Sequence, residues 1–123
     1  MSLWLAIAAI NGGLAVASGA FAAHGLQGRI DAQALQTFET GARYHMYHAL
    51  AIGLAALAMR DAAAGAAVSA AGFFLAGILL FSGSLYLLAL TGVRLFGAIT
   101  PFGGVCFLIG WGLLAIAATR LKL

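Results

Sequence analysis

Between Glu39 and Met59 the chain reads Glu-Thr-Gly-Ala-Arg-Tyr-His-Met-Tyr-His and then runs into an uninterrupted apolar stretch that begins at Ala49. Glu39, Arg43, His45 and His48 are here the side chains able to do chemistry. On a helix, with about 100° between residues, Glu39, Arg43 and Tyr47 share one stripe while Tyr44, His45 and His48 share another. Glu39 precedes Arg43 by four positions, the favourable order for a salt bridge. Charges next to lipid are costly, so by default they mark either a functional site or a paired structural contact.

His45 and His48, three apart, can turn toward one metal ion, and Met46 and Met59 would suit copper. Two imidazoles leave such a site incomplete, and the third histidine, His24, stands at the end of the preceding apolar stretch. The reading therefore assigns no metal and no cofactor. It expects instead a hydrogen-bonded polar cluster of His24, Glu39, Arg43 and His48 near one membrane face. No Ser-His-Asp or Cys-His arrangement is legible, so an enzyme is not expected. Only three carboxylates exist in the chain, and an uncharged first, third and fourth stretch argues against proton-coupled transport.

The elements that must position these residues follow from composition. The chain has 123 residues, 64% of them hydrophobic and 7% charged, with a mean hydropathy of +1.08. Soluble domains carry roughly 25% charged residues; nine charges cannot cover a water-exposed surface. The solvent is therefore lipid. A net charge of +3, placed at the ends of apolar stretches, offers nothing to nucleic acid. Cys106 is the one cysteine and lies inside an apolar run, where it reads as a small packed side chain.

Four spans are expected, at about residues 3–23, 41–59, 68–90 and 101–119, in a single domain covering residues 1–123. A short interfacial helix is placed between the first two, capped by Asp31 with Leu35 and Phe38 as its apolar side. Thr100-Pro101 is expected to open the last span, since proline is tolerated at the first helical position. Small residues recur at Ala15, Gly19 and Ala23, a spacing that permits close helix contact and self-association into a homo-oligomer. Asn11, Ser82, Ser84 and Tyr86 are the expected intramembrane polar contacts. The fold class is thus all-α, a four-transmembrane-helix antiparallel bundle with both termini on one side. Arg60, Arg120 and Lys122 balance Arg29, Arg43 and Arg94 across the membrane. Discounting Arg43 as the partner of Glu39 tips the termini to the cytoplasm.

Further motifs stand in a fixed order: Gly19-Ala20-Phe21-Ala22-Ala23-His24-Gly25-Leu26, Tyr44-His45-Met46-Tyr47-His48-Ala49-Leu50, Gly83-Ser84-Leu85-Tyr86, Thr100-Pro101-Phe102-Gly103-Gly104 and Gly110-Trp111. Over nearly its whole length the chain resembles the YgdD/YwdK-type small membrane proteins, a bacterial family whose domain of unknown function is numbered 423. The resemblance implies a multi-pass protein of the bacterial inner membrane, with no established catalytic or binding residues to carry over. Ala22 stands where such proteins often have Gly, and His45 where they often have Gln. The second departure speaks against a metal site built on His45.

These readings lead to a non-enzymatic membrane component that binds a partner, a lipid head group or a small ion through the polar cluster. The alternative is a small oligomeric channel or transporter, with Asn11, Ser82, Ser84 and Tyr86 lining a shared path.

Overall fold

A computed structural model describes all 123 residues, and its secondary structure is entirely helical. Helix α1 (Ser2–Phe21) continues through a π-helical turn, Ala22–Leu26. Helix α2 spans Ala32–Leu57. A third rod combines a 3-10 turn (Asp61–Ala63), helix α3 (Ala64–Gly77), a second π-helical turn (Ile78–Ser82) and helix α4 (Gly83–Thr91). Helix α5 spans Arg94–Thr119. Three rods, Ser2–Leu26, Asp61–Thr91 and Arg94–Thr119, are long and apolar enough to cross a membrane. Helix α2 has the length but carries the polar residues singled out above.

The expected interfacial helix is not a separate element. Asp31 caps α2 by accepting from the Ala34 N–H at 2.7 Å, and the helix then runs unbroken to Leu57. The turn before it is closed by Gly28 at φ +82°, a left-handed conformation that a Cβ disfavours. The start of the last helix also differs from expectation. Gly92, at φ +71°, ends α4, and α5 restarts at Arg94, so Pro101 lies two turns inside it. Proline there removes one backbone donor. Membrane helices tolerate this where hydroxyl side chains satisfy nearby backbone groups. Thr100, just before the proline, donates its Oγ1 to the Phe96 carbonyl at 3.3 Å.

The rods lie in an open row rather than a closed bundle. Helix α1 packs mainly along α2, α2 along the α3–α4 rod, and that rod along α5. Neighbours in the row are antiparallel: His45 meets Asn11 while Gly53 meets Ala8, and Gly77 meets Phe107 while Gly103 meets Phe81. Helices α2 and α5 are consequently parallel and share no continuous seam. The interior is built from small residues and a few aromatic knobs. Ala51, Ile52, Ala55, Ala70, Ala71, Phe74, Ile78 and Phe107 form the main core, and Ala58, Ala63, Ala66, Ala67 and Ala117 form a second one near the termini. Small residues let backbones approach closely where lipid gives no hydrophobic drive for helix association.

Gly103 shows how close that approach is. A Cβ there would collide with the backbone of Phe81 in the π-helical turn, whereas one on Gly104 would meet only Phe81 Cδ2 at 4.0 Å. Gly103→Ala is therefore expected to lower stability by about 1–3 kcal/mol, as overpacking does. Gly104→Ala should leave it unchanged. Thermal unfolding of both variants in detergent checks the contrast.

Candidate functional site

A helix offers no free backbone donors or acceptors in its middle, so any polar side chain in the interior must find a partner on another rod or on its own turn. The second stripe of α2 supplies two buried imidazoles, His45 and His48. His45 Nε2 lies 3.0 Å from Asn11 Oδ1 and its Nδ1 lies 2.9 Å from the Tyr86 hydroxyl. Asn11 donates its own amide nitrogen to the Ile7 carbonyl at 2.9 Å, which leaves Oδ1 as an acceptor. His45 Nε2 must then carry the proton, and Nδ1 accepts from the Tyr86 O–H. One imidazole joins α1, α2 and α4.

His48 is wired in the opposite sense. Its Nδ1 lies 2.7 Å from the Tyr44 carbonyl, which can only accept, so Nδ1 carries the proton. Its Nε2 accepts from Trp111 Nε1–H of α5 at 3.0 Å. The ring lies flat against Phe107, with centroids 3.4 Å apart and planes 6° from parallel. Phe107 in turn fills the notch left by Gly77, and Phe74 packs against Gly110. Two further hydroxyls tie the remaining seams. Ser82 donates to the Gly41 carbonyl at 2.7 Å, and Ser84 shares a 2.6 Å hydrogen bond with Thr100. The expected intramembrane contacts Asn11, Ser82, Ser84 and Tyr86 are thus all used inside one chain, and no buried side-chain polar atom is left without a partner.

The expected polar cluster does not converge. His24 is exposed in the π-helical turn after α1, about 20 Å along that rod from Asn11, the neighbour of His45. His48 is buried on the α5 side of α2. No three His, Cys, Asp or Glu side chains gather. Glu39 and Arg43 remain together and exposed, at a depression of about 360 Å³ bounded by Ala15, Gly19, Ala42 and Met46. They do not pair as their spacing suggested: Arg43 Nη2 donates to Thr40 Oγ1 at 3.2 Å instead. Side chains on a helix lean toward its N-terminus, which here carries the guanidinium toward the polar end of α2.

Because α2 and α5 share no seam, a groove of about 830 Å³ opens between them. Tyr44, Tyr47, Leu50 and Leu54 form one wall and Gly104, Leu108 and Trp111 the other, with Phe81 and Phe107 between. Sequence reading missed the groove and the hydrogen bond that Trp111 makes. The Gly-Trp-Gly run was its only trace, since an indole N–H in hydrocarbon needs an acceptor.

A wholly helical chain with three membrane-length apolar rods and paired interior polar groups defines a polytopic membrane protein. Sequence comparison gives the family. Residues 18–104 match the family described as "Protein of unknown function (DUF423)". The chain is 47% identical over 121 residues to the UPF0382 membrane protein YwdK of Bacillus subtilis (strain 168), covering 98% of each chain. It is 44% identical over 118 residues to the UPF0382 inner membrane protein YgdD of Escherichia coli (strain K12), covering 96% of this chain and 90% of that one. A UPF0382 membrane protein of Haemophilus influenzae (strain ATCC 51907 / DSM 11121 / KW20 / Rd) is 46% identical over 121 residues, covering 97% and 95%. The chain belongs to this DUF423, or UPF0382, family of membrane proteins. No solved structure matches it.

His45 needs one acceptor and one donor, and a glutamine amide supplies both. His45→Gln is therefore expected to keep the parent's stability in detergent. His45→Leu orphans Asn11 Oδ1 and the Tyr86 hydroxyl and should cost about 1–3 kcal/mol. Equal unfolding midpoints for the two variants would contradict the assignment.

Proposed function

We propose that this chain is a non-enzymatic, four-span protein of the inner membrane that holds a phospholipid head group on the outer stripe of α2. The observation that carries the reading is Glu39 and Arg43, exposed on an otherwise apolar flank and not bonded to each other, Arg43 donating to Thr40 instead. An arginine held in the hydrocarbon costs about 2.5–3.5 kcal/mol on insertion scales, so a charged partner there is favoured. The rest of the interior supports a binding role over catalysis, because its polar groups are committed to intrachain bonds. Asn11, Ser82, Ser84 and Tyr86 are spent in the same way and supply no lining for a channel.

In this reading α2 is the fourth span, since it lies antiparallel between two membrane-length rods and shares their extent. Both termini then lie on the same side of the membrane. Self-association uses the free flank of α1, where Gly13, Ala17 and Ala20 stand exposed.

Two experiments test the proposal. In a Cys106→Ala background, Ser2→Cys and Lys122→Cys should label from the same side of sealed vesicles, and Gln27→Cys and Val93→Cys from the other. Labelling of the two termini from opposite sides would overturn the four-span topology. Native mass spectrometry of the detergent-extracted protein should show a retained phospholipid that Arg43→Ala loses, and should give the number of chains per particle. Equal retention by Arg43→Ala would remove the head-group site.

A further inference from the structure

Glu39, Arg43, Tyr47, Leu50 and Leu54 lie within about 80° of one another around α2. The charged end of this stripe is the Glu39–Arg43 depression, and its apolar end is the wall of the α2–α5 groove. From Tyr44 to Leu54 the groove runs about 15 Å at about 1.5 Å per residue. That is half of the roughly 30 Å hydrocarbon core, the depth of one leaflet. Tyr44 and Tyr47, whose rings are exposed in the groove, use neither hydroxyl within the chain.

The two charges have opposite sign, sit one helical turn apart, and are not satisfied by each other. A simple anion would answer Arg43 and repel Glu39. A simple cation would do the reverse. A head group that carries both a phosphate and an ammonium answers each, and the outer stripe of α2 leads from that anchor to the groove.

We infer that the outer stripe of α2 and the α2–α5 groove form one seat for a single amine-headed phospholipid, with phosphate on Arg43, ammonium on Glu39, and one acyl chain laid between α2 and α5 against Tyr47, Leu50, Leu108 and Trp111. This rests on the head-group reading above and adds the lipid's class and the place of its chain. The His48 imidazole at the floor of the groove is already paired at both nitrogens and makes no polar demand of its own.

Trp111 reports directly on the seat. The full-length protein in a Trp4→Phe background, in detergent micelles, is titrated with phosphatidylethanolamine brominated on its acyl chains, and quenching of Trp111 is followed. Quenching should saturate at a single lipid per chain. Gly104→Phe fills the groove from α5 where an added Cβ meets only Phe81 Cδ2 at 4.0 Å, and should abolish the saturable quenching. Gly112→Phe, on the same helix with open space at its Cβ, should retain it and controls for folding. Arg43→Ala and Glu39→Gln should each raise the midpoint by about tenfold, equivalent to about 1.4 kcal/mol, while leaving quenching by a brominated diacylglycerol, which lacks the head, unchanged. Unaltered quenching in Gly104→Phe would overturn the chain seat even if Arg43→Ala weakens binding, and the head-group reading would then stand alone. Loss in Gly104→Phe with no effect of Arg43→Ala would overturn the single-ligand assignment and the head-group reading with it. Equal binding of brominated phosphatidylglycerol, which has no ammonium, would remove Glu39 from the site and overturn the lipid class.

Discussion

Two neutral imidazoles, protonated on opposite nitrogens, hold this protein's rods in register. Hydrocarbon provides no water to satisfy a polar atom, and an unpaired hydroxyl or amide there costs several kcal/mol. His45 and His48 each resolve that constraint across a different boundary. His45 joins α1, α2 and α4 through Asn11 and Tyr86, and His48 joins α2 to α5 through Trp111. Buried hydrogen bonds between membrane helices add only modest stability, about 0.6 kcal/mol on average. Their larger effect is on specificity, because a slip of one turn along any of these seams would strand a donor or an acceptor.

The open row follows from the same economy of contact. Alanine and glycine seams bring α2, the α3–α4 rod and α5 together closely enough that Gly103 touches the backbone of the π-helical turn. Helices α2 and α5 are kept apart by the aromatic layer of Phe81, Phe107 and Trp111, which rises between them. The His48–Trp111 hydrogen bond crosses that layer and joins α2 to α5. Packing on one side of the row thus leaves an apolar groove on the other.

Much of this was legible in the residues. Uncharged stretches of membrane length pointed to the all-helical membrane protein, and Asn11, Ser82, Ser84 and Tyr86 each hydrogen-bond within the chain. Two boundaries shifted for local reasons. Pro101 reads as a helix start until Gly92 is seen to permit an earlier one, and Asp31 caps a long helix as readily as a short one. The polar cluster was misjudged because periodicity fixes angles within one helix but not the placement of its neighbours. His24 and His48 look adjacent in a sequence of hairpins, yet His48 turns toward α5, which comes last in the chain. Glu39 and Arg43 do not pair although their spacing allows it; Arg43 donates to the Thr40 hydroxyl, three residues before it.

The tautomers of the two buried histidines are the central claim in its most measurable form. Solid-state 15N NMR of the histidine-labelled protein in bilayers, with His24→Gln to remove the third ring, resolves protonated from bare imidazole nitrogens. The account predicts two neutral rings, one with its proton on Nε2 and correlated to Asn11, the other with its proton on Nδ1 and accepting at Nε2 from the indole of Trp111. Two rings with the same tautomer, or a ring protonated on both nitrogens at neutral pH, would contradict it.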